Sequence, residues 1–386
     1  MSTSPQTVLR KLSWLDRLLP INILIAMVIG TLIGHYVPNA ATTLSSGSIA
    51  GVSAPIFVGL LVMMYPVLCK VRYEILPSLL KDASSIKVIL FSLVLNIIVA
   101  PLIMTALAWA TLPDLPHERT GVILIGVARC IAMVLIWNQL AGGDAEWCAI
   151  LVAVNAIAQL LLYGPVAYFL TVVVSGSPDA GGMVDIWLVV RSVLVFLGIP
   201  LGAGCLTRCG LRFGIKGNAE WYDDKLMPAI GPFALLGLLY TILVMFILQG
   251  DQIIHNLGNA FRTMVPLICY FAIVFSCTLV ASLYLLKSPH SLAITQSFTA
   301  AGNNFELAIA VAVATYGIDS KEAFSAVIGP LIEVPVLLGL VYVAVWTDGW
   351  YNLVLVKLKG PAMEEQSEAQ MVVRSKQGTD GWASSA

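Results

Sequence analysis

The sequence predicts an all-α, polytopic membrane protein of ten transmembrane helices, and three observations carry that prediction. Of its 386 residues, 59% are hydrophobic and only 11% are charged, against about 25% charged in a soluble domain. So many apolar side chains cannot be hidden inside a water-soluble globule, which makes lipid part of the solvent. The apolar residues gather into ten runs, each close to the roughly 20 residues a helix needs to cross the hydrocarbon layer. Within each run hydrophobicity is continuous rather than alternating, which favours helices over a β-barrel.

Taken in order, residues 1–17 are polar or mixed and show no small-residue cleavage site. The first run, 18–37, therefore reads as a retained span and not a signal peptide. Runs at 49–69, 87–109, 120–141 and 146–174 follow, the fifth long enough to tilt or to contain a loop end. The stretch 175–185, with Ser175, Gly176, Pro178, Gly181 and Gly182, reads as a linker. Beyond it come runs at 186–206, 227–248, 263–286, 293–317 and 322–346, then a tail, 347–386. From Lys359 on the tail is rich in Ser, Gln, Glu and Gly and is expected to be disordered.

Basic residues set the orientation. With a cytoplasmic N-terminus, sixteen of the 21 lysines and arginines fall in inside segments, and only Arg119, Arg262 and Lys321 fall outside. Both termini are thus expected on the cytoplasmic side. Five spans on each side of the linker is an odd number. The second half, 186–346, must then enter the membrane in the opposite sense to the first, 18–174, as an inverted repeat. Internal marks agree in pattern. The fourth and ninth runs carry polar residues at mid-depth, Asn155 and Glu333 sit inside the fifth and tenth, and Gly164-Pro165 and Gly329-Pro330 recur in that same pair.

Composition also excludes. A net charge of −1 points to no nucleic-acid partner. The 7 cysteines show no CxxC spacing, and Cys130, Cys269 and Cys277 lie within apolar runs, so neither a zinc site nor a disulfide framework is expected. No cofactor is implied. The 4 histidines, His35, His117, His255 and His290, lie at span ends or in loops, which leaves an intramembrane enzyme without a catalytic pair. A sensor anchored by its spans would need a folded extramembrane domain, and only the polar tail is available.

Ionisable groups at membrane depth are costly, by about 2.5–3.5 kcal/mol each on insertion scales, and mark functional sites by default. Arg129 lies mid-run in the fourth span, Glu306 in the ninth and Glu333 in the tenth; Arg191 is close enough to an end to snorkel. One alternative is that Arg129 pairs with Glu306 or Glu333 and only locks the bundle. The ninth run holds Thr299, Gly302, Asn303, Asn304 and Glu306 within eight residues. Asn and Gly are poor helix formers, and a helix broken here would turn its ends toward a central cavity, as transporters do. Hydrogen bonding between helices by Asn and Thr is the competing reading. Cys130, in Gly126-Val127-Ala128-Arg129-Cys130-Ile131-Ala132-Met133, is either a small hydrophobe or a ligand.

These residues carry a resemblance. The run from Gly126 to Val134, followed by Trp137-Asn138, is similar to the fourth-span signature of the arsenical-resistance permeases, in the bile acid/arsenite/riboflavin transporter superfamily. Asn303-Asn304-Phe305-Glu306-Leu307-Ala308-Ile309-Ala310-Val311-Ala312 resembles their ninth-span signature, and Gly329-Pro330-Leu331-Ile332-Glu333-Val334-Pro335-Val336 that of the tenth. Met63-Met64-Tyr65-Pro66 and Leu112-Pro113-Asp114-Leu115-Pro116 also fit, so the likeness runs from about Lys11 to Trp346. Three departures stand out: Gln139 in place of an acidic residue, Gly302 in place of Ser, and no Trp near Ile97.

The resemblance implies two inverted five-helix repeats with discontinuous fourth and ninth helices. It further implies efflux of arsenite, with antimonite a second candidate, across the plasma membrane in exchange for protons. It ties transport to the fourth-span cysteine and the ninth-span glutamate, here Cys130 and Glu306. Arsenite is an uncharged trihydroxide with a thiophilic centre, and soft centres prefer sulfur. One sulfur, Cys130, with hydrogen bonds from Asn303, Asn304 and Asn155, would recognise it and still release it. Glu306 would carry the coupling proton, with Glu333 the alternative carrier and Arg129 the counter-charge. The rival within the superfamily is a sodium-coupled symporter of a small organic anion, which would use Glu306, Glu333 and the asparagines as oxygen ligands.

Overall fold

The computed structural model describes residues 18–45, 47–49, 52–79, 81–176, 186–214 and 219–359. The expected N-terminal segment 1–17, most of the linker and the end of the tail lie outside the described residues. Every predicted run falls on helix. The helices are α1 (Leu19–Tyr36), α2 (Ala54–Lys70), α3 (Ala83–Thr111), α4 (Pro116–Val127) and α5 (Met133–Leu140). They continue as α6 (Ala145–Val174), α7 (Ile186–Arg212), α8 (Met227–His255) and α9 (Leu257–Leu286). The last three are α10 (His290–Ala301), α11 (Phe305–Tyr316) and α12 (Lys321–Lys359). The chain is an all-α polytopic membrane protein in which the fourth and ninth runs are each interrupted.

Local chemistry starts the helices. Asp82 accepts from Ser85 N–H at 2.8 Å ahead of α3, and Asp144 accepts from the amides of Glu146 and Trp147 at 3.0 Å ahead of α6. Ser320 accepts from Ala323 N–H at 3.1 Å ahead of α12. Each side chain serves orphan donors of a helix N-terminus, one each for Asp82 and Ser320 and two for Asp144. A two-residue antiparallel pairing, β1 (Ser48–Ile49) with β2 (Val52–Ser53), takes up the start of the second run and delays α2 to Ala54. Within α3 the turns loosen over Val94–Val99 ahead of Pro101, whose ring nitrogen offers no hydrogen bond to the preceding turn.

Burial divides the helices into two classes. Residues 118–127 of α4, 292–301 of α10 and 305–313 of α11 are buried on every face. The surrounding helices expose large apolar side chains, among them Ile98, Leu161, Leu206 and Leu285, which lipid alone would cover. The broken helices therefore form the interior, enclosed by α9, α12 and α6. In the outer layer α1 and α8 approach closely at small residues: a Cβ on Gly30 would lie 2.8 Å from Leu243 O, and one on Gly250 2.7 Å from Thr31 O. Such close approach is how membrane helices gain packing without a hydrophobic drive.

The last helix runs beyond the tenth apolar run, which ends at 346: α12 continues to Lys359. Tyr351 and Leu355, one turn apart, are buried along its inner face, and Tyr351 donates to Ser288 O at 3.2 Å. An apolar stripe at helical spacing holds those residues in the helix despite the falling hydropathy.

Candidate functional site

Two helix breaks meet at the centre of the fold. Between α4 and α5 the chain is extended at Ala128 (φ −77°, ψ 115°), and between α10 and α11 at Gly302 (φ −68°, ψ 142°). The extended segments cross as an antiparallel bridge with Arg129 opposite Asn303. Cys130 N–H donates to Gly302 O at 3.3 Å, and Asn304 N–H donates to Ala128 O at 3.1 Å. Each break thereby satisfies backbone groups the other has released, without which an irregular segment inside the bundle would be costly. A Cβ at residue 302 would stand 2.9 Å from Cys130 Cβ, so glycine permits the crossing to close.

The crossing sorts the helix ends by polarity. α4 and α10 bring in their C-terminal carbonyls, and α5 and α11 their N-terminal amides. Arg129, fully buried, serves the carbonyls: its Nη1 donates to Ala300 O at 3.1 Å and to Tyr270 Oη at 2.7 Å, and its Nη2 donates to Gly126 O. Tyr270 in turn donates to Ala300 O at 3.1 Å. The Asn303 amide nitrogen donates to Ile125 O at 2.8 Å and to Ala128 O at 3.2 Å. On the amide side, Cys130 Sγ accepts from Val134 N–H at 3.3 Å, and Asn304 Oδ1 caps α11 through Leu307 N–H at 3.0 Å. Glu306 occupies the first turn of α11, where the helix end favours negative charge.

Beside the crossing lies a narrow recess, about 10 Å³ in volume. Met63, Met64, Cys130, Ile131, Ala132, Met133, Asn303, Asn304 and Glu306 line it. Four of the seven expected site residues, Cys130, Asn303, Asn304 and Glu306, thus face one cavity. Asn303 Oδ1 and Asn304 Nδ2 are buried there without partners, one acceptor and one donor left for a guest.

The other three stand apart from that lining. Arg129 was expected to be a counter-charge, yet neither Glu306 nor Glu333 forms an ion pair with it. Helix-terminal carbonyls take its hydrogen bonds instead, because the crossing concentrates partial negative charge where the guanidinium sits. Asn155 is buried with both amide atoms unpartnered, outside the residues that line the recess. Glu333 is 1% exposed and approaches the Asn303 backbone from α12.

Four contributors had escaped the sequence reading. Gln159 on α6 accepts from Arg129 N–H at 2.7 Å and donates to Arg129 O at 3.0 Å. An uncharged amide in an apolar run carries too weak a signal to be singled out. Tyr270 is invisible as a guanidinium partner until α9 is packed. Met63 and Met64 were part of a motif but not of the site; their soft thioethers beside Cys130 were the available clue. The one His/Cys/Asp/Glu group spaced for a metal among the described residues, His35, Asp251 and His255, lies at the ends of α1 and α8 and lines no part of the recess.

The model of the sodium bile acid symporter family matches residues 57–256. The arsenical-resistance protein Acr3 of Corynebacterium glutamicum is 46% identical over 351 residues, covering 90% of this chain and 93% of that one. An uncharacterized transporter of Synechocystis is 32% identical over 360 residues, 88% of this chain and 91% of that one. The Acr3 protein of Alkaliphilus metalliredigens is 28% identical over 351 residues, 88% and 95% of the two chains.

Proposed function

The chain belongs to the Acr3 arsenical-resistance proteins of the sodium bile acid symporter family, transporters and not enzymes, and on that premise we propose that it exports arsenite from the cytoplasm in exchange for protons. Antimonite, the heavier trihydroxide with the same thiophilic centre, is the second substrate. The membrane is the plasma membrane, with both termini cytoplasmic, in keeping with the basic residues on that side. The observation that carries the reading is the single recess into which Cys130 and Glu306 both face.

A neutral trihydroxide needs a soft ligand and a few hydrogen bonds. In this mechanism the Cys130 thiol displaces one hydroxide of arsenite. A sulfur–arsenic bond forms, an arsenic–oxygen bond breaks, and the thiol proton leaves with the hydroxide as water. Asn304 Nδ2 donates to a remaining hydroxyl oxygen, while Asn303 Oδ1 accepts from another. A single sulfur keeps the complex reversible, and water reverses the exchange on the far side. Met63 and Met64 add polarizable surface without a second covalent bond.

Membrane voltage does no work on an uncharged solute, so uphill export needs a coupled ion. Glu306, at the edge of the recess and at the N-terminus of α11, is the group to bind a proton from outside and release it inside. Everted vesicles containing the full chain test both assignments. Cys130→Ser should abolish arsenite accumulation while the protein remains folded, and Glu306→Gln should leave arsenite movement indifferent to an imposed pH gradient. Normal accumulation by Cys130→Ser, or accumulation driven by sodium and not by the pH gradient, would overturn the reading.

A further inference from the structure

We propose that Glu333 acts as a neutral carboxylic acid that holds the outer edge of Asn303 as the Gln159 amide holds the outer edge of Arg129, and is thus a positioning residue for the crossing. The bridge geometry leads there. In the wide pair of an antiparallel ladder, the N–H and C=O of both facing residues turn outward, to opposite sides. The bonds Cys130 N–H to Gly302 O and Asn304 N–H to Ala128 O make Arg129 and Asn303 such a pair. On the Arg129 side both outward groups are filled by one side chain, Gln159, at 2.7 and 3.0 Å. On the Asn303 side the side chain facing the backbone amide is Glu333.

The sequence register agrees. Asn303 follows Arg129 by 174 residues, and Glu333 follows Gln159 by the same 174. The partner of Glu333 across the two halves is therefore Gln159, not the Asn155 suggested by pattern.

The donor and acceptor inventory then assigns the proton. An amide offers one acceptor and one donor, which matches an outward N–H and C=O. A carboxylate offers acceptors only and would oppose the Asn303 carbonyl; a carboxylic acid restores the match. Glu333 Oε1 is buried with no hydrogen-bond partner, and the Asn303 carbonyl accepts no hydrogen bond among the described residues, so a proton on that oxygen would serve both. Glu306 is the titratable group that faces Glu333, with the Cys130 thiol on the recess side. An uncharged Glu333 spares Glu306 a second negative charge in a medium that screens little. The transport reading supplies the consequence: Glu306 is left as the carboxyl that exchanges protons, while Glu333 keeps its own.

The test uses the full chain in lipid nanodiscs and in everted vesicles. Infrared difference spectra of wild type against Glu333→Gln should show one protonated-carboxyl C=O band lost, with no carboxylate band lost beside it. Glu333→Gln should export arsenite at the wild-type level, whereas Glu333→Leu, which leaves the Asn303 N–H unpartnered, should lose about tenfold or more. Loss of a carboxylate band in place of the acid band overturns the inference, and so does failure of Glu333→Gln to fold or to export. If wild type itself moves no arsenite, the transport reading falls, and the infrared result still decides this one.

Discussion

Arg129→Met tests why a cation is buried where no carboxylate meets it. The guanidinium donates to Tyr270 Oη at 2.7 Å, to Ala300 O at 3.1 Å and to Gly126 O. Hydrogen bonds to charged groups are worth about 1.5–3 kcal/mol each. Their sum overstates the loss, because methionine also removes the cost of burying a charge. We expect a net destabilisation of roughly 2–4 kcal/mol, read by reversible unfolding in mixed micelles with tryptophan fluorescence. The double variant decides the cause. If Arg129 neutralised Glu306, removing both charges would restore much of the stability, since the damage would be an uncompensated carboxylate. With helix-end carbonyls as the partners, Arg129→Met and Glu306→Gln should add within about 0.5 kcal/mol. Rescue of Arg129→Met by Glu306→Gln, well beyond that margin, would refute the assignment of this cation to the helix ends.

Gly302→Ala places a methyl group 2.9 Å from Cys130 Cβ; overpacking of this kind costs about 1–3 kcal/mol. Arsenite export should fall and the Cys130 thiol should become less reactive toward a small maleimide, and unchanged labelling would count against a tight crossing. Asn304→Ala removes the cap on α11, about 1 kcal/mol, together with a free donor in the recess. It should raise the arsenite concentration needed for half-maximal export, whereas Asn304→Asp, which keeps the cap and loses the donor, should restore stability without restoring export. Glu74, in the single 3-10 turn Tyr73–Ile75 after α2, is partly desolvated, which opposes its charge. Arg208 at 2.6 Å and Arg212 at 3.3 Å outweigh that and hold its carboxyl below the ordinary 4.5. A lowered value means the stabilisation is present above pH 4.5 and is lost on acidification through the folded-state value. Thermal stability should therefore step down below pH 4.5 in wild type and not in Glu74→Gln.

Much of the architecture was legible in the chain itself. A continuous run of about 20 apolar residues has one low-energy solution in lipid, so the places of the helices followed from composition and spacing alone. The break after Ala301 was legible for a similar reason: Gly302, Asn303 and Asn304 are locally poor helix formers beside a carboxylate. Cys130 and Glu306 stood out because a thiol and an acid sit inside motifs that the arsenical-resistance permeases share. The final turns of α12 were not legible, since burial of Tyr351 and Leu355 against neighbouring helices outweighs a falling hydropathy.

The tertiary structure alone decided how the polar residues divide their work. Pairings between residues more than a hundred positions apart leave no local trace, so nothing near Arg129 in the sequence reveals that Tyr270 and the end of α10 at Ala300 share its guanidinium with the end of α4. Nothing near Gln159 marks it as the side chain that closes the backbone of the first break. The sequence determined which groups are present at membrane depth and that the helices bearing them must break. Which of those groups face the recess, and which only complete the hydrogen bonds of the crossing, depended on how two extended segments meet: buried N–H and C=O groups must find partners in space.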